Sequence, residues 1–317
     1  MGLGRSADDS AGLPGLLDIW RMKVKKTRCL TPYVFVAPAV LILLFCSIIP
    51  IIITFGISFT DLGLAQLGKW NLLKFKGFSN YANILSDRVF QKSITNTLYY
   101  VCVGVPIVIA VSFLLAFLLH GGGERKIFSF FRAVFYSPSV TNMVAVSIVW
   151  LYLFNPSIGL FNDVLEFVGL EPIMWLKSPS TAKNSLLILS VWRNMGLNML
   201  IFLAALQSVP KELYEASSLD GAGKLTQLFK ITLPNIMFSV FFVIVTTLIG
   251  WFQYFEEVYV MTEGGPANST ISMTYYVYRT GFWSGRFGQA AAASVILFLF
   301  ILVVTLVQLW LQAQNDK

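Results

Sequence analysis

The chain has 317 residues, of which 56% are hydrophobic and only 12% are charged, and its formal net charge is +7. Soluble domains carry about twice that fraction of charged residues, so the composition excludes a soluble protein and predicts a membrane protein. No basic stripe with interleaved aromatic residues is present, so nucleic acid is not an expected partner. We attribute the positive charge to membrane topology and expect anionic membrane lipid as a neighbour.

The apolar residues fall into six blocks, and each is long enough to cross a hydrocarbon core of roughly 30 Å, which takes about 20 residues. The blocks cover residues 33–59, 93–119, 133–154, 184–208, 235–260 and 288–312. The third block is the least regular, because Pro138, Thr141 and Asn142 lie near its beginning. The sequence therefore predicts an all-α polytopic membrane protein with six transmembrane helices.

Basic residues indicate the orientation of these helices. The predicted N-terminal tail, residues 1–32, contains Arg5, Arg21, Lys23, Lys25, Lys26 and Arg28. The positive-inside rule places this tail in the cytoplasm, and six spans return the C-terminal tail, residues 313–317, to the same side. Lys69, Lys74 and Lys76 in the first external loop weaken this contrast, but the tail dominates it and predicts an N-in, C-in topology.

The residue types needed for most catalytic chemistry are scattered or missing. The three cysteines lie apart from one another, and the single histidine, His120, ends the second block beside a run of glycines. The segment from Ala222 to Thr226 departs from a phosphate-binding loop, because Leu225 follows Lys224 where Ser or Thr is required. We therefore expect no catalytic residue, no metal site and no cofactor bound by this chain.

Polar groups within the apolar blocks are costly and tend to mark transport pathways. Aromatic faces beside amide and carboxylate groups suit a polyhydroxylated ligand. The candidates for a solute pathway are Asn142, Trp150, Arg193, Asn194, Asn198, Gln253, Tyr254, Glu256 and Glu257. For any single residue a structural role is the alternative, such as an ion pair between Arg193 and Glu256 or Glu257, or an aromatic belt at the membrane interface.

A polar segment between the fourth and fifth blocks, residues 209–234, is longer than a simple connector needs to be. Its residues predict a helix over 211–219, a turn at Asp220 and Gly221, and a second helix from Ala222 to Lys230. Its small side chains allow another surface to approach the backbone, and Glu215 and Asp220 supply charge. The segment therefore predicts docking with a cytoplasmic partner.

This segment, which reads Glu-Ala-Ser-x-x-Asp-Gly-Ala from Glu215 and ends in Ile-Thr-Leu-Pro at Pro234, closely resembles the EAA loop of ABC importer permeases. The similarity is greatest to the carbohydrate-uptake branch, which includes maltose and glycerol-3-phosphate systems. Other stretches resemble that branch in the same order: Gly77 to Tyr81, Asn96 to Leu98, Phe131 to Pro138, Trp150 to Phe154, Leu203 to Pro210 and Met261 to Pro266. The resemblance extends over a transmembrane domain of residues 33–312.

The resemblance implies the type I ABC importer permease fold in a bacterial cytoplasmic membrane. It implies a second, usually different, permease subunit, two cytoplasmic ATPase subunits that hold ATP and Mg²⁺, and an extracytoplasmic solute-binding protein. The residues implied to couple the permease to the ATPase are Glu215, Ala216, Ser217, Asp220, Gly221, Ala222, Gly223, Leu233 and Pro234. Ser217 departs from the usual alanine but remains small.

The implied function is import of a sugar or oligosaccharide by alternating access. A sugar is favoured over glycerol phosphate, because no concentrated cationic pocket beyond Arg193 is evident. The alternative is an ion-coupled secondary transporter that uses the acidic pair Glu256 and Glu257. It would normally show internal repeats, which the chain lacks, and it leaves residues 209–234 without a purpose.

Overall fold

The computed structural model of the chain describes residues 30–121 and 125–315. Most of the predicted N-terminal tail and the last two residues therefore lie outside the described part. Five helices in that part are long and apolar enough to cross a membrane: Pro32–Ser58, Arg88–His120, Ala182–Gln207, Met237–Met261 and Phe287–Gln314. With the helix pair in the third block they make six spans, which we number in chain order. These spans agree with the six predicted apolar blocks.

The third block does not form the single helix that the sequence predicts. It forms two helices, Lys126–Val140 and Met143–Leu153, which meet at an angle of 100°. Thr141 between them is extended, and the side chain of Asn142 caps the second helix by accepting hydrogen bonds from the backbone N–H groups of Val144 and Ala145. Because this cap satisfies free N–H groups at the new helix start, the chain can turn sharply here.

Shorter helices lie between the spans. Their bounds are Ser79–Ser86, Leu160–Phe167, Lys211–Leu219, Lys224–Gln227, Leu233–Asn235 and Met273–Tyr278, with 3₁₀ turns at Leu64–Gln66 and Trp70–Leu72. One isolated antiparallel bridge joins Thr60 to Phe75.

Three π-helical turns each end two residues before a proline. They cover Leu44–Ile48, Tyr100–Gly104 and Leu228–Thr232, and the prolines are Pro50, Pro106 and Pro234. Proline lacks the N–H donor and its ring collides with the carbonyl four residues earlier, so a wider turn accommodates Pro50 and Pro106 within continuous spans. The turn before Pro234 lies in the loop that precedes the fifth span. A fourth π-helical turn, Arg279–Trp283, precedes the sixth span.

The chain divides into two compact units, Met1–Ile53 and Thr54–Lys317. In the described part of the first unit, the apolar side chains along the helix are exposed. In the second unit, the fourth span packs against the second span and against the helix Lys126–Val140. Gly196 permits that last contact, because a Cβ atom there would overlap the backbone of Phe135.

Two apolar clusters form the core of the second unit. One surrounds Tyr100, Trp251 and Tyr254, near the predicted extracytoplasmic ends of the spans. The other surrounds Phe202 and Leu206, near the cytoplasmic ends. The region between the clusters is where the polar residues of the fourth and fifth spans meet.

Candidate functional site

A cavity of about 550 Å³ lies between the fourth and fifth spans. Seven of the nine predicted pathway residues line it: Arg193, Asn194, Asn198, Gln253, Tyr254, Glu256 and Glu257. The other lining residues are Leu197, Thr246, Thr247, Gly250, Trp251 and Phe255. The sequence indicates only Trp251 among them, as an aromatic residue beside the polar groups of the fifth span. Thr246 and Thr247 could have been found from the sequence, because they are polar residues within an apolar block. They precede Gly250 by about one helical turn, so the three residues share one face of the helix.

A break in the fifth span creates this cavity. The span consists of two helices, Met237–Phe252 and Glu256–Met261, separated by residues 253–255. Phe255 has φ −139° and ψ −56°, which is outside the helical region. Irregular backbone at membrane depth is tolerated where it lines a cavity or is buried in protein. The break turns five consecutive side chains, from Gln253 to Glu257, toward the cavity wall.

Tyr254 holds the break in place. Its hydroxyl lies 2.5 Å from the Ser190 hydroxyl and donates a 3.2 Å hydrogen bond to the carbonyl of Leu186, both on the fourth span. Its ring lies 4.6 Å from that of Tyr100 on the second span and stacks on Trp251. Gly104 makes room for Trp251, since a Cβ atom at that position would overlap the indole ring. Buried aromatic contacts therefore fix the shape of the cavity wall.

The cavity contains one basic and two acidic side chains. A guanidinium nitrogen of Arg193 lies 3.6 Å from a carboxylate oxygen of Glu256, as the structural alternative predicts. The Glu256 side chain is 59% exposed, so this ion pair contributes little stability. Glu257 is only 5% exposed. The Nε atom of Arg193 is buried without a hydrogen-bond partner among the described residues. Donors and acceptors are thus available to a polar solute.

Amide groups on the fourth span complete the polar wall. The Asn198 side chain donates to the Thr247 hydroxyl at 3.2 Å, and that of Asn194 donates to the carbonyl of Ser190 at 2.8 Å. Each amide keeps an oxygen acceptor that these bonds do not use. The wall can therefore accept hydrogen bonds from hydroxyl groups.

The two remaining predicted pathway residues lie elsewhere. Asn142 caps the second helix of the third span, and Trp150 is buried in an aromatic cluster with Phe154, Phe161 and Trp192 at ring distances of 5.2 to 5.5 Å. Their part in a solute pathway stays a prediction.

The segment from 209 to 234 forms the predicted helix, turn and helix. The first helix covers Lys211–Leu219 and the second begins at Lys224, two residues later than predicted. Gly221 has φ +79°, a left-handed conformation that glycine adopts readily. The turn is closed by a 2.9 Å hydrogen bond from the N–H of Ala222 to the carbonyl of Ser217.

One glutamine joins the two helices of this segment. The side-chain nitrogen of Gln227 donates to the hydroxyls of Ser217 and Ser218, each at 2.9 Å, and lies 3.3 Å from the carbonyl oxygen of Tyr214. The hydroxyl at position 217, where the EAA loop usually has alanine, therefore takes part in a bond across the turn. The Tyr214 hydroxyl also lies 2.9 Å from that of Thr232.

The outer surface of the segment is available for contact. Glu215, Ala216, Asp220 and Gly223 are exposed and Ala222 is half-buried. Four large apolar side chains that the sequence did not indicate as contact residues are exposed on it: Leu213 at 41%, Leu219 at 90%, Leu225 at 72% and Phe229 at 64%. Their signal in the sequence is their apolar character within a polar loop. Leu233 instead packs against the cytoplasmic apolar cluster, and Pro234 follows the π-helical turn.

Six apolar spans, a broken span around a polar cavity and a structured loop between the fourth and fifth spans define a transport subunit of the membrane. The family model described as "Binding-protein-dependent transport system inner membrane component" matches residues 81–316. The chain belongs to this family: it is a permease subunit of an ABC importer and a multi-pass protein of the plasma membrane.

Relatives match over nearly the whole chain. The lactose transport system permease protein LacF of Rhizobium radiobacter is 32% identical over 295 residues, which cover 92% of this chain and 96% of LacF. The probable ABC transporter permease protein YurN of Bacillus subtilis is 34% identical over 281 residues, 88% of this chain and 94% of YurN. The arabinooligosaccharides transport system permease protein AraP of the same organism is 34% identical and covers 88% of this chain and 87% of AraP.

A solved structure supports the fold. A chain of a bacterial alginate ABC transporter, determined in complex with a periplasmic protein that carries an alginate pentasaccharide, superposes with a TM-score of 0.78. It is 22% identical, and the alignment covers 96% of this chain and 99% of that chain. This similarity shows the type I permease fold.

Proposed function

We propose that this permease forms one half of the pathway by which an ATP-driven importer moves a sugar or oligosaccharide into the cell. The observation that carries the proposal is the cavity at the break in the fifth span, where the half-buried ring of Phe255 lies among polar groups that include Arg193 and Glu256. Rings pack on the apolar faces of a pyranose and polar groups bond its hydroxyls. The relatives named for lactose and arabinooligosaccharide transport support this class of solute.

The second half of the pathway is a homologous permease subunit of different sequence. The described part of this chain supplies one wall of the cavity, and a partner with other side chains would complete it. An extracytoplasmic binding protein delivers the solute to the pair. Asn142 and Trp150 remain candidates for contacts with the solute in a second conformation of the permease.

Two ATPase subunits drive the transport cycle from the cytoplasm, and they hold the ATP and Mg²⁺. The exposed side chains of Leu219, Leu225 and Phe229 support docking of the segment 209–234 into a groove of the ATPase, since large exposed apolar groups mark interaction sites. Glu215 and Asp220 supply charge at the edge of that contact. Closure of the ATPase pair on ATP moves this segment and switches the permease between two packings of its spans.

The experiment that tests this function begins with the tagged chain in its native membrane. After mild detergent extraction, we expect an ATPase subunit and a second six-span permease to co-purify. In proteoliposomes, the complex with its binding protein should take up tritium-labelled lactose or arabinotriose and hydrolyse ATP faster when the saccharide is present. Solute transport by the chain alone, without an ATPase, contradicts the proposal.

A further inference from the structure

A row of aromatic rings leads from the cavity to the extracytoplasmic surface. Phe255, which lines the cavity, stacks on Tyr259 with ring centres 5.4 Å apart. Both rings lie 5.3 Å from Tyr278, and Tyr278 lies 5.4 Å from Phe282. We call Phe255, Tyr259, Tyr278 and Phe282 the aromatic track. Two separate elements build it, the outer end of the fifth span and the turn that precedes the sixth.

The rings of the track are accessible at its outer end. Phe282 is 72% exposed, Tyr259 is 38% exposed, and Phe255 and Tyr278 are half-buried. Phe282, the ring farthest along the track from the cavity, is the most exposed of the four. A molecule could therefore move along contiguous rings in either direction without leaving the protein surface.

The segment that connects the two elements of the track is hydrogen-bonded to the second span. The hydroxyl of Tyr100 donates to the carbonyl of Thr270, and the side chain of Asn96 donates to that of Ile271, each at 2.9 Å. Glu263, Ala267 and Asn268 have positive φ angles, which are uncommon for residues with side chains and persist where surrounding contacts impose them. A rigid support of this kind suits a surface that guides a ligand rather than a loop that only connects two spans.

Polar groups lie along the edges of the rings. Tyr259 and Tyr278 carry hydroxyls, and the Glu263 carboxylate is close enough to interact electrostatically with Tyr259 and Tyr275. Arg279 donates a 3.0 Å hydrogen bond to the side chain of Asn268. A saccharide, with apolar ring faces and a hydroxylated rim, can use both the rings and these polar groups, whereas a lipid acyl chain can use only the rings.

We propose that the aromatic track binds successive sugar rings and guides the saccharide from the binding protein into the cavity. This inference rests on the proposed function, because it requires a saccharide as the solute. It adds a binding surface outside the membrane-embedded cavity. Its ligand is a neutral sugar ring that stacks first on Phe282 and then on Tyr278 and Tyr259.

The test compares the amount of saccharide imported with the amount of ATP hydrolysed by the complete importer in proteoliposomes, with lactose or arabinotriose as the probe. For Phe282→Ala we expect about fivefold less saccharide per ATP, the effect of losing one stacking contact, with ATP hydrolysis nearly unchanged. Phe282→Tyr should restore the ratio, because it restores a ring. Phe78→Ala is the matched control and should leave the ratio unchanged. Phe78 is as exposed as Phe282, at 75%, but its ring packs on Phe59 and Tyr81, which lie outside the track.

The proposed role of the track is contradicted if Phe282→Ala leaves the ratio of saccharide imported to ATP hydrolysed unchanged. It is also contradicted if import and hydrolysis fall equally and Phe282→Tyr does not restore them. A second measurement places the photoreactive residue p-benzoylphenylalanine at position 282 during turnover with labelled lactose or arabinotriose. A labelled adduct supports the track, and an adduct formed only with another permease chain or with lipid refutes it. If the unaltered importer takes up neither saccharide, the proposed function itself fails, and the track fails with it.

Discussion

Glu257 is the residue on which the chemistry of the cavity depends most. It lines the cavity yet is only 5% exposed, whereas its neighbour Glu256 is 59% exposed at the side chain. Burying a carboxyl group costs free energy, so a residue of this kind in a cavity wall suggests a functional role. We infer that Glu257 accepts hydrogen bonds from solute hydroxyls.

Replacing Glu257 with alanine should therefore lower saccharide uptake about tenfold, the effect of losing one hydrogen bond to the solute. Glu166→Ala is the control and should change uptake by less than about twofold, because Glu166 is exposed and does not line the cavity. Initial uptake rates in proteoliposomes measure both effects. Equal losses in the two variants would show that the effect of Glu257→Ala does not arise in the cavity.

At the scale of elements, two features fix the shape of the segment 209–234. The turn at Gly221 requires a left-handed backbone, and Gln227 joins the two helices across it. Gly221 allows the chain to reverse direction at the turn. Gln227 holds the second helix against the end of the first by its hydrogen bonds to Ser217 and Ser218.

Gly221→Val should abolish transport while leaving membrane insertion intact. A β-branched residue is strained at φ +79°, so the turn would change shape and the docking surface would be lost. Gly121→Val is the control, because Gly121 lies outside the segment, has φ −63°, and a Cβ atom there meets no described atom within 4 Å. Membrane fractionation and uptake assays measure the two properties, and normal uptake by Gly221→Val would refute the docking assignment.

Gln227→Ala should weaken coupling without removing the turn. It deletes the donor to Ser217 and Ser218, each bond contributing about 1 kcal/mol, so the two helices should move independently. We expect the purified importer to hydrolyse ATP with less stimulation by the loaded binding protein. Thr226→Ala, at the exposed neighbouring position, should retain full stimulation, and a similar loss in both variants would indicate general damage to the loop.

The sequence predicts the spans more completely than the site. Hydropathy identifies the six apolar blocks because each span needs a run of apolar residues. It does not reveal the bend at Thr141 or the break before Glu256. Tyr254 is held by Ser190 and Tyr100, which are distant in sequence, so no local pattern predicts its conformation. Trp150 illustrates the same limit: composition marks it as an aromatic residue near polar groups, but only packing assigns it to a buried cluster.

At the scale of the whole molecule, the N-in, C-in topology places the aromatic track and the docking segment on opposite sides of the membrane. Single cysteines at Phe75 and Leu219, which are 78% and 90% exposed, would test this arrangement in a chain whose three native cysteines are replaced by serine. In spheroplasts, a membrane-impermeant maleimide should label Phe75→Cys directly and Leu219→Cys only after the membrane is permeabilised. Labelling of both in sealed spheroplasts would contradict the topology.

The hydroxyl of Ser139 has a consequence for how the fourth span can move. It donates to the carbonyl of Arg193 at 2.7 Å and accepts from the N–H of Leu197 at 3.3 Å, the two groups that an ideal helix would join to each other. Ser139 can therefore replace the backbone hydrogen bond between Arg193 and Leu197. If the span bends there, the hydroxyl bonds both backbone groups, and if the span straightens, the two groups can bond to each other. The span can therefore bend beside Arg193, at the cavity wall, without leaving either backbone group unpaired.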